Sequence, residues 1–189
     1  MTRAWVRQSV CVRAAVVIGV VAGCATARTS IESSTNLKNT APVTRLLIFE
    51  DLQHAFYSAD LYGGFVERVK SGLTSCGVTA SIEQAPGLVN FNELVAGPIE
   101  TFHASSVMLI FSEGEDVHHP SNGTDTYKLR FKLKLLDVVS NKVMWAAESK
   151  VYMTTSWTTD DVENGARLGA AIVSRLQDDG VLTGCPSAQ

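Results

Sequence analysis

Tyr127-Lys128-Leu129-Arg130-Phe131-Lys132-Leu133-Lys134-Leu135 alternates apolar and basic residues without a break. Successive side chains of a strand point to opposite faces, so this period of two describes a strand with one apolar face and one basic face. A turn follows at Ser140-Asn141, where asparagine tolerates a left-handed backbone. A return strand over Val143 to Tyr152 would put Val143, Trp145, Ala147 and Val151 on one side. Pairing 138 with 142 sets Leu135 opposite Trp145 and Lys132 opposite Glu148, so core meets core and opposite charges meet. The segment is therefore an antiparallel hairpin.

Upstream of it, Arg45-Leu46-Leu47-Ile48-Phe49 and Val107-Met108-Leu109-Ile110-Phe111 are short apolar runs suited to strands buried on both faces. Leu61, Phe65, Val69 and Leu73 recur every four residues before Cys76-Gly77, an amphipathic helix with its stop signal. Val78, Ala80 and Ile82 alternate inward along a further strand, and 91–103 is a weaker helical segment interrupted by Gly97-Pro98. A last helix runs from about Asp161 to Asp179, with Asp160 and Glu163 as a cap, Val162, Ala166, Ile172, Val173 and Leu176 inward, and Gly180 at its end. Strand–helix–strand units need crossovers and lie parallel, whereas the hairpin is antiparallel. The expectation is a single α/β (α+β) domain over 44–189: a mixed sheet of about five strands with a C-terminal antiparallel hairpin and two to three helices packed on it.

Ahead of this domain lies a leader. Arg3, Arg7 and Arg13 make it basic, no acidic residue precedes Glu32, and Ala14 to Ala22 is almost purely apolar. An apolar core of about ten residues is half of what a spanning helix needs, and it has the layout of a cleaved secretory signal. Val21-Ala22-Gly23-Cys24 resembles the lipobox of bacterial lipoproteins. The resemblance implies cleavage of residues 1–23 and diacylglycerol on the Cys24 thiol. Acylation of the new amino group adds a further chain, and several chains make a durable anchor. The alternative is an ordinary signal cut near Ala27. Alanine rather than aspartate at position 25 implies, within that family, export to the outer membrane, with the domain facing the periplasm. Residues 24–43 then read as the lipidated cysteine and a flexible Ser/Thr/Asn-rich tether, holding the domain roughly 25 Å from the bilayer.

Loss of the leader arginines leaves 13 basic against 19 acidic side chains, a formal charge of −6. Such a balance is a poor match for nucleic acid, which attracts a basic field. Cys76 and Cys185 remain; in an oxidising envelope they are either a disulfide closing a loop of about 110 residues or two buried thiols.

The segment Leu136-Asp137-Val138-Val139-Ser140-Asn141-Lys142-Val143-Met144-Trp145 and the close Ala166 to Leu182 are similar to the hairpin and final helix of envelope lipoproteins with a TolB amino-terminal-like domain. That superfamily includes activators of penicillin-binding proteins and relatives of the curli secretion lipoprotein. The resemblance implies a role in activation or assembly, and the absence of long extra hairpins counts against a pore.

Three constellations could carry chemistry. His118-His119 with Glu113, Glu115 and Asp116 has ligand-type residues, but adjacent histidines in a loop seldom converge on one metal ion, and a solvated acidic turn explains them. Asp51, His54 and Ser58 follow the first buried strand, where α/β sheets often bind ligands, yet no GxSxG, HExxH or P-loop motif accompanies them. Gly63-Gly64 could admit a phosphate at a helix start. Lys128, Arg130, Lys132 and Lys134 form a basic stripe, either a partner-binding face or a solvated one partly neutralised by Glu148. No cofactor is expected. The favoured reading is a non-catalytic outer-membrane lipoprotein that binds another envelope protein as assembly factor, activator or scaffold. The rivals are an envelope hydrolase or ligand-binding protein using the 50–60 or 113–119 segment, and a structural lipoprotein contacting peptidoglycan.

Replacement of Cys24 by serine is expected to abolish incorporation of labelled palmitate and to release the protein from the membrane fraction. Palmitate uptake by the serine form would place the lipid elsewhere.

Overall fold

The computed structural model describes residues 28–37, 41–52, 56, 58–85, 91–119, 126–154 and 161–186. Six strands and three helices follow in the order β1 (Arg28–Thr35), β2 (Arg45–Glu50), α1 (Ala59–Ser75), β3 (Thr79–Gln84), α2 (Phe91–Phe102), β4 (Ser106–His118), β5 (Thr126–Asp137), β6 (Lys142–Thr154) and α3 (Asp161–Asp178). They build one mixed sheet, ordered β1-β6-β5-β4-β2-β3. The pairs β2–β3 and β2–β4 are parallel. The pairs β4–β5, β5–β6 and β1–β6 are antiparallel. The expected α/β class with its late hairpin is what forms, with a sixth strand added.

The handedness of crossovers decides where the helices go. From β2 the chain steps to the edge strand β3, then returns past β2 to β4. Parallel crossovers are right-handed, so reversing the step direction puts α1 and α2 on opposite faces. Strand β2 is consequently buried on both sides. Leu46 and Ile48 enter the larger core with Leu61, Phe65, Val69 and Leu73 of α1. Leu47 and Phe49 enter a smaller one with Ile99 and Phe102 at the end of α2. Helix α2 continues through Pro98, which leaves it one hydrogen bond short without ending it.

Helix α3 returns to the side of α1, where glycines let the two backbones touch. A Cβ on Gly165 would lie 1.9 Å from the Leu61 carbonyl oxygen, and one on Gly64 2.1 Å from that of Val162. The inner side of α3 is accordingly Asn164, Gly165, Leu168, Gly169, Ile172, Val173 and Leu176. Val162, expected inside, is exposed because the tight contact runs along the glycines instead.

The hairpin has the expected register, Lys132 opposite Glu148 and Leu135 opposite Trp145. The pairing shifts by one between Leu135 and Leu136, so Asp137 rather than Val138 faces Lys142. The extra residue on β6 is Met144, which turns into the core beside Trp145, while Val143 points out. Asp137 holds the turn by accepting from the Ser140 amide at 2.8 Å, and Asn141 takes the left-handed φ of 53°.

Residues 28–35, expected within a flexible tether, instead form β1 on the edge of β6. Ile31 is the one strongly apolar side chain there, so little apolar area is buried. The strand is held by its backbone ladder and by threonine and serine, which fit a half-buried sheet edge. Apolar periodicity therefore does not mark this strand.

Gly165→Ala is expected to lower stability by about 1–3 kcal/mol through overpacking. Gly63→Ala, with open space at its Cβ, should be neutral or gain up to ~1 kcal/mol of helix propensity. Urea unfolding midpoints compare the two, and equal midpoints would mean the helices do not meet at Gly165.

Candidate functional site

Crossover geometry leaves half the sheet uncovered. Helix α2 shields β2 and its neighbours, the later strands are joined by tight hairpins, and α3 lies with α1. Among the described residues no helix covers the outer face of β5, β6 and β1. Lys128, Arg130, Lys132 and Lys134 all project there, because Leu129, Phe131, Leu133 and Leu135 point into the core.

The acidic segment lies beside them. Residues 113–118, expected in a loop, belong to β4, which outruns its parallel partner and pairs with β5 as far as His118. A register shift at Ser112/Gly114, with Gly114 at φ 115°, admits the extra residue. Asp116 then pairs with Arg130 at 3.2 Å and Lys128 at 3.9 Å. Glu113 pairs with Lys132. The hydrogen bond and charge of Glu113 chiefly raise the Lys132 pKa, with Glu148 a smaller contributor. Sequence reasoning gave Glu148 the part that Glu113 plays, because β4 was expected to end earlier. Among the described residues no group of three His, Cys, Asp or Glu side chains is placed to hold a metal ion.

Lys134 has no ion pair among the described residues. Opposite it stand Ala146 and then Ser34. Their short side chains, between the longer Lys132, Glu148 and Glu32, leave a shallow depression of about 440 Å³ on the open face. Glu32 lies directly opposite Glu148 across β1–β6, a like-charge pair that favours an added cation.

One wall of this depression is β1, which is locked by Asp179 just beyond α3. The Asp179 carboxylate accepts from the Trp145 indole N–H at 2.7 Å, the Ser33 hydroxyl at 2.5 Å and Arg175 Nε at 3.1 Å. Burial alone would raise its pKa. The hydrogen bonds from Ser33 and Trp145 and the Arg175 charge outweigh that and hold it below the ordinary 3.8. A second clamp joins Cys76, at the end of α1, to Cys185, with the sulfurs 2.03 Å apart.

The remaining sequence candidates separate. Ser58 is the N-cap of α1, accepting from the Leu61 amide at 3.1 Å. The Asp51 amide bonds the Ile110 carbonyl at 3.1 Å. His54 lies outside the described residues, as do Cys24 and Asp160. Gly64 is closed off by Val162 and is a helix contact, while Gly63 faces open space; both lie inside α1, which starts at Ala59, and not at a helix start that could cradle a phosphate. At the carboxyl end of β2, where such sheets often bind ligands, the described side chains engage one another. Glu50 is fully buried, accepting from the Tyr62 hydroxyl at 2.7 Å and the Leu52 amide at 2.5 Å. Burial, then the Glu50 carboxylate, push the Tyr62 pKa up. Phe56 packs against the rings of Tyr62, Phe65 and Phe131. An acidic residue closing an apolar strand was the available signal for Glu50; its tyrosine partner had none.

No protein-family model and no curated protein matches the chain. Among solved structures, a PelC dodecamer from Paraburkholderia phytofirmans superposes with TM-score 0.49 at 14% identity, over 79% of this chain and 98% of that one. Lipoprotein GNA1162 from Neisseria meningitidis gives 0.45 at 13% identity, over 72% and 99%. A minor lipoprotein from Acinetobacter baumannii gives 0.36 at 12%, over 73% and 95%. These are partial likenesses in the arrangement of elements and do not place the chain in a family.

Asp179→Asn is expected to cost about 1–3 kcal/mol at neutral pH by breaking the ion pair with Arg175 and weakening two hydrogen bonds. Asp179 has a lowered folded pKa, so its stabilisation is complete above the unfolded value near 3.8 and is lost as pH falls through the folded one. The gap between wild type and variant should therefore close in acid. Denaturant unfolding at several pH values measures it, and a gap independent of pH would remove the carboxylate from the account.

Proposed function

We propose that this protein is a non-catalytic lipoprotein of the bacterial outer membrane, anchored through Cys24, that binds another envelope protein on the open face of its sheet. The observation that carries the reading is the uncovered face of β5, β6 and β1. There Lys134 has no ion pair and Glu32 opposes Glu148, around a depression floored by short side chains. Such a face leaves charged groups for a partner of complementary pattern, which fixes register and speeds encounter. The hydrogen bonds from the Tyr62 hydroxyl and the Leu52 amide give the Glu50 carboxylate a structural use. The pairing of Glu113 and Asp116 with the basic stripe likewise gives the 113–119 segment a structural use. Among the described residues no helix is long and apolar enough to cross a membrane. The activator or assembly role, and kinship with TolB amino-terminal-like domains, are proposed on the hairpin and final-helix residues.

The double variant Lys132→Glu/Lys134→Glu tests the face. In-cell crosslinking from position 146, read by mass spectrometry, should show a discrete envelope-protein adduct in wild type that falls at least tenfold in the variant, at unchanged melting temperature. An adduct unaffected by both reversals would show the face to be merely solvated.

A further inference from the structure

Strand β1 changes where the anchor must sit. Only three residues separate Cys24 from Arg28, and a chain spans at most about 3.3–3.6 Å per residue. The first residue of the sheet therefore lies within roughly 15 Å of an acylated Cys24, too short a link for the domain to stand off on a long tether. We propose that one end of the sheet, the end containing Arg28, rests on the phosphate headgroups of the leaflet holding the Cys24 acyl chains. This rests on the lipoprotein reading above.

The residues at that end suit the role. Strand pairing places Arg28 beside Tyr152, Tyr152 beside Lys128, and Lys150 beside Arg130. Lys128 lies 5.9 Å from the Tyr152 ring centroid. Asp116 occupies Lys128 and Arg130, while no ion pair among the described residues engages Arg28 or Lys150. Five large apolar or aromatic side chains are exposed among the described residues, and three of them, Val117, Tyr152 and Val162, are at this end. Basic side chains facing phosphates, with a tyrosine between water and acyl chain, are the chemistry of a membrane-apposed surface. The turn beyond β5 lies about nine residues away, roughly 30 Å along the strands, so it points away from the bilayer. The depression around Lys134 then falls in the half of the sheet that faces the envelope space. The cations without an ion pair among the described residues are thus divided, Arg28 and Lys150 toward lipid and Lys134 toward a protein partner.

The test uses the full, processed chain with a photo-crosslinking benzoylphenylalanine at Tyr152 or at Val139, in cells. Phospholipid adducts and Cys24 acylation are read by mass spectrometry on the same samples. Apposition predicts at least fivefold more lipid adduct from 152 than from 139, and a severalfold drop at 152 when Arg28→Glu and Lys150→Glu are combined, with acylation and melting temperature unchanged. Equal yields from 152 and 139 on acylated protein overturn the apposition and leave the lipoprotein reading standing. Absence of acylation overturns both.

Discussion

The reversal of direction about β2 is the constraint from which the rest of the molecule follows. Because right-handed crossovers run first one way and then the other, α1 and α2 must lie on opposite faces. The strand between them is then apolar on both sides, as Leu46, Leu47, Ile48 and Phe49 are. After β4 the chain uses hairpins, which bring no helix, and α3 comes back to the covered side through glycine contacts with α1. Among the described residues, topology leaves one half of one face without a helix over it. The side chains on it are charged because water, or a partner, is what they meet.

The same half is where the charge pattern is organised. Strand β4 outlasts β2, so its acidic end meets the basic side chains of β5 and two apparently unrelated sequence features become one cross-strand network. Lys134, the stripe lysine nearest the hairpin turn, lies beyond the acidic stretch and has no ion pair among the described residues. Surface ion pairs of this kind add little to stability; their effect is to determine which cations remain unengaged.

Legibility in the sequence tracked how local the determining pattern was. The alternation of 127–135 against 143–152 specified partner, register and direction, since a slip of one residue would bury Lys132 in place of Leu133. Helix α1 was equally legible from its four-residue repeat. What escaped depended on distant partners. Strand β1 has only Ile31 to mark it and exists because β6 offers an edge and Asp179 an acceptor. The bulge at Met144 and the extension of β4 to His118 arise from the neighbouring strand's twist and length. Of the candidate site, the four basic residues were readable on one face; the openness of that face and the partners Glu113 and Asp116 required the topology. Ser58 and Gly64, which looked chemical in isolation, are a helix cap and a helix contact.

The position of β1 also sets the mechanics of the molecule. A pull applied to the chain just before Arg28, along the axis of the strand, would load the ladder to β6 in shear. All its hydrogen bonds then bear force together instead of opening singly from one end. The Ser33–Asp179–Trp145 junction meets that ladder toward its far end from Arg28 and couples it to Asp179, just beyond α3. A sheet held through its edge strand in this manner resists such tension better than one whose edge is opened from its end.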